Sequence, residues 1–321
     1  QYGLQSEFWQ QGMTANRAQF VNKTLLIDEV LPNLLTFSYQ HSRHLYAQAQ
    51  SLAQSQSMSE ENGTVRIKAF ANTAQWLGIY LSLAKQPQVT PLVAKLGLSQ
   101  GLLADELLYA DASFEAQHYQ QALNSYEYIA YQEQPTQSEA SSQQLKSLRQ
   151  EAAYGATLTI RAMLTAHQQG KSKTINTTTD SSNHNIEQAL VLTKIRLDEA
   201  YIEQYPTDDR SLSLAVQLAQ YAFANNNYAM LQQYNDFILT AHGVIAHTDA
   251  VNSQSIATIN HNVKATELSD KACKEVQIAS QLQANSWYQQ GQYLQAEEGY
   301  DLALNFVVNN SAIWLEMRAL L

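Results

Sequence analysis

The sequence predicts an all-α fold, an irregular α-solenoid of antiparallel helix hairpins. Three observations carry that prediction. Apolar residues recur at three- and four-residue spacing through most windows of the 321 residues, the period of one helix face. Only 5 Pro and 11 Gly interrupt the chain, so few segments are forced out of a helix. Turn signals at Gly291 and Asn226 stand between windows of helical length. With 45% hydrophobic residues, such a chain can bury a substantial core.

Residues 3 to 20 and 24 to 55 read as two helices, with Pro32 near the start of the second, where a missing amide is tolerated. Asn62-Gly63 is a turn signal, and residues 64 to 84, TVRIKAFANTAQWLGIYLSLA, form the most amphipathic window. A helix pair follows across 89 to 131, then a long helix from about 138 to 168. Residues 168 to 185, QQGKSKTINTTTDSSNHN, read as a polar loop. Their apolar area is too small to offset ordering entropy, so mobility is expected there. A helix from 186 to 204 ends at Tyr205-Pro206, and a pair over 211 to 224 and 228 to 241 follows. Residues 243 to 265 fit no single element. Residues 1 to 60 are expected to cap the array or to lead up from a membrane anchor, and residues 61 to 321 to form the array itself.

The final hairpin has the clearest pattern. In SWYQQGQYLQAEEGYDLAL, residues 286 to 304, Ala284, Ala296 and Ala303 suit close helix approach, while Trp287, Tyr293 and Tyr300 are expected to fill the space beside it. This order resembles the tetratricopeptide repeat, a helix pair of about 34 residues. With Gly291 at the turn, the repeat starts at Gln277 and the next begins at Ser311, which places Trp314 where that family has Trp. FEAQHYQQALNSYEYIA repeats the spacing with Tyr119, Ala122 and Tyr126, although Ile129 replaces the small residue. LAQYAFANNNYAMLQQYNDFI aligns Ala219, Asn226, Tyr228 and Leu231, with Asn235 at the aromatic position. Tyr119 and Tyr228 are 109 residues apart, seven more than three repeats of about 34. The array is therefore irregular.

Composition excludes several functions. A formal charge of −10, a pI near 5.2 and 19 scattered Lys and Arg do not make the basic stripe that nucleic acid requires. No window approaches the roughly 18 unbroken apolar residues of a membrane span. Cys273 is the only cysteine, so no internal disulfide forms. Its segment, SDKACKEV, places it on the inner side of a helix. The sequence opens at Gln1 rather than Met, which leaves room for an upstream signal peptide or anchor. Its amide-rich, Lys-poor composition leans toward a periplasmic or cell-surface location, with the cytoplasm as the alternative.

The search for catalytic groups is negative. His41 and His44 lie three apart without a third ligand, and His242 and His247 read as solvated. Gly170-Lys171-Ser172 matches only the end of a phosphate loop, since Thr165 stands where a glycine is needed. Glu60-Glu61, Asp208-Asp209 and Glu297-Glu298 suit solvated faces or helix termini. The sequence is read as non-enzymatic, without cofactor or metal. The resemblance implies instead a groove lined by the first helix of each hairpin. Its positions are Leu107, Asp111, Phe114 and Glu115 in the first copy, Val216, Gln220, Phe223 and Ala224 in the second, and Gln281, Asn285, Tyr288 and Gln289 in the third. Aromatics, amides and acids without Lys or Arg imply a neutral or basic extended protein or peptide partner. The leading expectation is an interaction scaffold or assembly factor. The alternative is a ligand- or peptide-sensing region of a larger membrane receptor, and an enzyme with a substrate-threading ring is a third class.

Overall fold

Capping residues and turn geometry set the limits of the helices in this computed structural model, which describes residues 30–55, 60–131, 142–173, 180–245, 263, 265 and 268–306. Among those residues the regular elements are all helical, and no helix is long and apolar enough to cross a membrane. The predicted helix at 3 to 20 and the continuation at Ser311 and Trp314 lie outside the described residues. So does most of the ambiguous stretch from 243 to 265. The chain divides into two units at Thr177–Thr178.

In the first unit, α1 (Leu31–Ser55) and α2 (Glu60–Ala84) form an antiparallel pair, shown by the ring contacts Tyr46–Phe70, Tyr39–Tyr80 and Phe37–Trp76. A short α3 (Thr90–Lys95) has Pro91 in its first turn, where no intrahelical N–H is lost. Then come α4 (Leu102–Glu115), α5 (Tyr119–Tyr131) and α6 (Ser142–Lys173). α4 packs against α2, α5 and α6, and α5 also packs against α6. Phe70, Ala74 and Leu77 of α2 meet Ala112 and Ala116 of α4 in one buried cluster. α2 is packed on both sides, by α1 and α4. The turn expected at Asn62-Gly63 is corrected, since both residues are inside α2.

The second unit contains α7 (Asp180–Gln204), α8 (Asp209–Ala224), α9 (Tyr228–Ala241), α10 (Asp270–Gln289) and α11 (Tyr293–Asn305). α8 packs against α7, α9 and α10, and α10 against α9 and α11. Asp208 caps α8 by accepting from the Arg210 amide at 2.7 Å, so the Asp208-Asp209 pair does serve a helix terminus. The polar loop predicted at 168 to 185 is corrected at both ends, where residues 168 to 173 and 180 to 185 are helical. α6 runs on through Lys173 and α7 starts at Asp180, because Gln and Lys are good helix formers and an exposed Gly170 costs only about 1 kcal/mol.

Three hairpin turns share one backbone solution. Gln117, Asn226 and Gly291 all have positive φ, at 62°, 55° and 76°. In each, the amide of that residue bonds back three residues, to Phe114, Phe223 and Tyr288, and the next amide bonds back five, to Ser113, Ala222 and Trp287. These are the paired bonds of a Schellman C-cap. Asn226 and Gly291 were expected at such a turn. Gln117 was not, because its side chain carries no left-handed preference.

The third hairpin closes as its alanines predict: Ala284, Ala296, Ala303 and Tyr300 form its buried cluster, with Trp287 against it. Tyr293 is the exception, since it is 64% exposed and leaves the filling to Tyr300 and Trp287. Gly299 was not anticipated. A Cβ there would come within 2.9 Å of Ala284 Cβ, so Gly299 belongs to the close crossing.

Candidate functional site

On α4, Asp111, Phe114 and Glu115 stand at i, i+3 and i+4, one face of a helix. The fold brings to that face Tyr46 and Gln50 of α1, Arg66 and Phe70 of α2 and Tyr126 of α5, around an open recess of about 350 Å³. All of these residues belong to the first unit. Three of the positions expected to line a groove are thus assembled in one place.

Its polar groups are partly committed. Tyr126 donates to Asp111 Oδ1 at 2.6 Å. Burial pushes the Asp111 carboxyl above its ordinary range, opposed by the Tyr126 hydrogen bond and reinforced by the charges of Glu115 and Glu151. Tyr46 is pushed up to about 12, first by burial and then by the Asp111 charge. Glu115 lies 3.5 Å from Arg66 Nη2. The first-helix positions do lack a cation, but α2 supplies one. Phe114 packs edge-on to Tyr119 with ring centroids 5.7 Å apart and still contributes to the recess wall.

The Tyr126 position has its own cause. Gly155 of α6 has no Cβ, and one placed there would meet the Tyr126 ring at 2.5 Å. The small residue lets the ring lie against α6 while its hydroxyl reaches Asp111. The third hairpin repeats this link with an amide in place of the acid: Tyr300 donates to Asn285 Oδ1 at 2.5 Å. In the second hairpin the Tyr position is Asn235, which is buried and donates to Gln283 at 2.9 Å. The missing aromatic is therefore replaced by a hydrogen bond between side-chain amides of α9 and α10.

The remaining predicted positions are more scattered. Gln220 is exposed and Phe223 half-buried on α8. On α10, Gln281 is half-buried, Asn285 is held by Tyr300, and Gln289 accepts from the Tyr228 hydroxyl at 3.1 Å. Tyr288 is 51% exposed and packs edge-on to Tyr293 at 5.4 Å. None of them lines the large cavity of the second unit.

Sequence reasoning missed Tyr46, Arg66 and Phe70, whose helices had no repeat assignment. It also misplaced His242, read as solvated. That ring is mostly buried, with Nε2 3.0 Å from Glu275 Oε2. His41 packs against Phe37 and Trp76, with centroids 5.3 and 4.7 Å away, and its pKa is lowered by burial and by His44. Cys273 is buried as expected, with its thiol directed at the Ala265 carbonyl. Among the described residues, no group of three or more His, Cys, Asp or Glu is placed to hold a metal ion. A second recess in the first unit, of about 610 Å³, is lined by neutral groups that include Asn72, Gln75, Ser82, Tyr109 and Gln121.

No protein-family model matches this chain, and a search of curated proteins finds no match.

Proposed function

We propose that this chain is a non-enzymatic interaction scaffold, an irregular α-solenoid of tetratricopeptide-like hairpins, that receives an extended neutral or basic segment of a partner protein. The reading includes a role in assembly outside the cytoplasm of a bacterium. Support for the repeat comes from the Tyr-to-first-helix bond in two of the hairpins. α10 also packs on both helices of the preceding hairpin, the neighbour relation of stacked repeats.

One observation carries the binding reading: Asp111, Phe114 and Glu115 share a single open recess with Tyr46, Arg66 and Phe70. Aromatic walls supply stacking area. Of the recess's charges, Arg66 and Glu115 offset each other, which leaves Asp111 as the excess. A side chain that is aromatic, or aliphatic with a donor at its tip, fits that chemistry. An acidic tail does not.

Fluorescence-anisotropy titrations with short peptides test this. Peptides carrying Lys, Arg or aromatic residues are expected to bind more tightly than one ending in Glu-Glu-Val-Asp. Phe114→Ala is expected to weaken that binding by about 1 to 3 kcal/mol. Tight binding of the acidic peptide, or unchanged affinity in a folded Phe114→Ala protein, would remove this recess as the partner site.

A further inference from the structure

Asp236 on α9 stands in the wall of a cavity of about 810 Å³ that lies among α7, α8 and α9 of the second unit. Ile202, Pro206, Leu212, Tyr234 and Phe237 give that cavity a largely apolar wall. The Tyr234 ring is anchored, since its hydroxyl donates to Glu199 at 3.0 Å.

Among the described residues, Asp236 is the one acid at least partly removed from solvent that has neither a hydrogen bond nor an ion pair in the chain. The contrast with the others is consistent. Asp105 has Arg43, and Glu106 has Lys85 and Ser125. Asp111 has Tyr126, Asp198 has Lys194, Asp208 has Arg210 and Glu275 has His242. Burial pushes the Asp236 carboxyl above its ordinary range, and no neighbouring charge pulls it back. Its oxygens are not among the buried atoms without a partner, so water satisfies the carboxylate at the cavity wall, and a cationic ligand can take that water's place.

The cations of this unit that approach the cavity are engaged elsewhere. Arg210 holds Asp208 and lies over the Tyr201 ring at 5.7 Å. Lys271 approaches Glu275 at 3.6 Å and the Asp209 carbonyl at 3.5 Å. His242, at the rim, is bonded to Glu275. Two further features raise the negative potential. Asp208 and Asp209 line the cavity, and so do Thr240 and Ala241 in the last turn of α9, the negative end of its dipole.

We propose that this cavity binds an organic cation, an ammonium or guanidinium group on an apolar stem about as long as a Lys or Arg side chain. The charge sits on Asp236 and the stem lies against Leu212, Tyr234 and Phe237, whose rings add a cation–π attraction. A charge-assisted hydrogen bond to the cation replaces the water on that carboxylate. The cation has two possible sources, a free alkylamine or alkylguanidine and a basic side chain of a partner protein. The site is separate from the recess at Asp111 and stands independently of it.

Calorimetric titration of the full chain distinguishes the outcomes. The probes are n-pentylammonium and n-pentylguanidinium, with n-pentanol and n-pentanoate as neutral and anionic matches. Saturable binding of the two cations is expected, with pentanol at least about tenfold weaker and pentanoate not binding. Asp236→Asn is expected to weaken the cations about 10- to 100-fold while melting at or above the parent temperature. Leu212→Phe keeps the carboxylate and fills the cavity, and it is also expected to reduce binding. A capped pentapeptide with one central Lys identifies the source. Tighter binding than pentylammonium assigns the site to a partner chain, and equal or weaker binding assigns it to a free amine. Equal affinity for pentanol and pentylammonium, or unchanged cation affinity in Asp236→Asn, would overturn the proposal.

Discussion

Asp111 and Asp236 both line cavities, and burial pushes both carboxyls above their ordinary range. They differ in what answers them. Asp111 accepts a hydrogen bond from Tyr126, whose ring lies against Gly155. Asp236 takes no hydrogen bond from the chain, in a cavity walled by apolar side chains together with Asp208, Asp209 and His242. The first acid is part of the packing that joins α4 to α5. The second holds no other side chain in place, and that is why it is the better sign of an external ligand.

Disrupting the Asp111 link is expected to give the largest effect. Gly155→Ala sets a Cβ at 2.5 Å from the Tyr126 ring and is expected to cost about 1 to 3 kcal/mol by overpacking. Tyr126→Phe removes one of the two tyrosine hydroxyls that bond to Asp111, Tyr46 being the other, and is expected to cost about 0.5 to 1.5 kcal/mol, the net worth of one hydrogen bond. Urea midpoints at neutral pH check both. If Tyr126→Phe were neutral, Asp111 would stand on the same footing as Asp236 and the contrast would fail.

Asp236→Asn is expected to have the opposite sign and a smaller size, because its partial exposure lets solvent screen the charge. A carboxyl whose folded pKa is raised binds more protons folded than unfolded, so its contribution to stability falls as pH rises. For Asp236 that loss begins near its unfolded value of 3.8 and is complete above its raised folded value. Asp236→Asn is therefore expected to be more stable than the parent near pH 7, with the advantage vanishing toward pH 3.5, the acid end of that window. Chemical melts of both proteins across this range test it. An advantage that grows as pH falls would show that the carboxylate is stabilised by a partner.

The turns give the smallest effect. Gln117 holds φ 62° where the third hairpin has Gly291 at φ 76°, and a side chain in that region costs about 1 to 2 kcal/mol. Gln117→Gly is expected to gain about 0.5 to 1 kcal/mol after the added unfolded-state entropy. Gly291→Ala is expected to lose about 1 kcal/mol or more. Thermal melts of the pair show whether the two hairpins store equivalent strain.

Much of this was legible in the residues themselves. Spacing located the hairpins because a buried helix face must repeat every three or four residues, and Gly291 and Asn226 located turns because few side chains tolerate positive φ. Capping at Asp208 was visible for the same local reason. What failed locally failed where local chemistry is outvoted. Asn62-Gly63 is carried inside α2, since α1 and α4 pack on both sides of that helix. Gln168 to Lys173 remain helical without any apolar pattern to mark them.

The sequence by itself determined that the chain is helical, where two of its hairpins turn, and that Asp111, Phe114 and Glu115 share a face, because each of these rests on interactions within a few residues. Tertiary structure decided which of those side chains have partners. Tyr126 and Asp111 are 15 residues apart and Arg66 and Glu115 further still, and only packing sets such distances. Asp236 shows the limit most plainly. Asp198 and Asp208 find their cations close by in the chain, at Lys194 and Arg210, and the residues beside Asp236 offer none, but only packing sets Asp236 in the wall of a cavity.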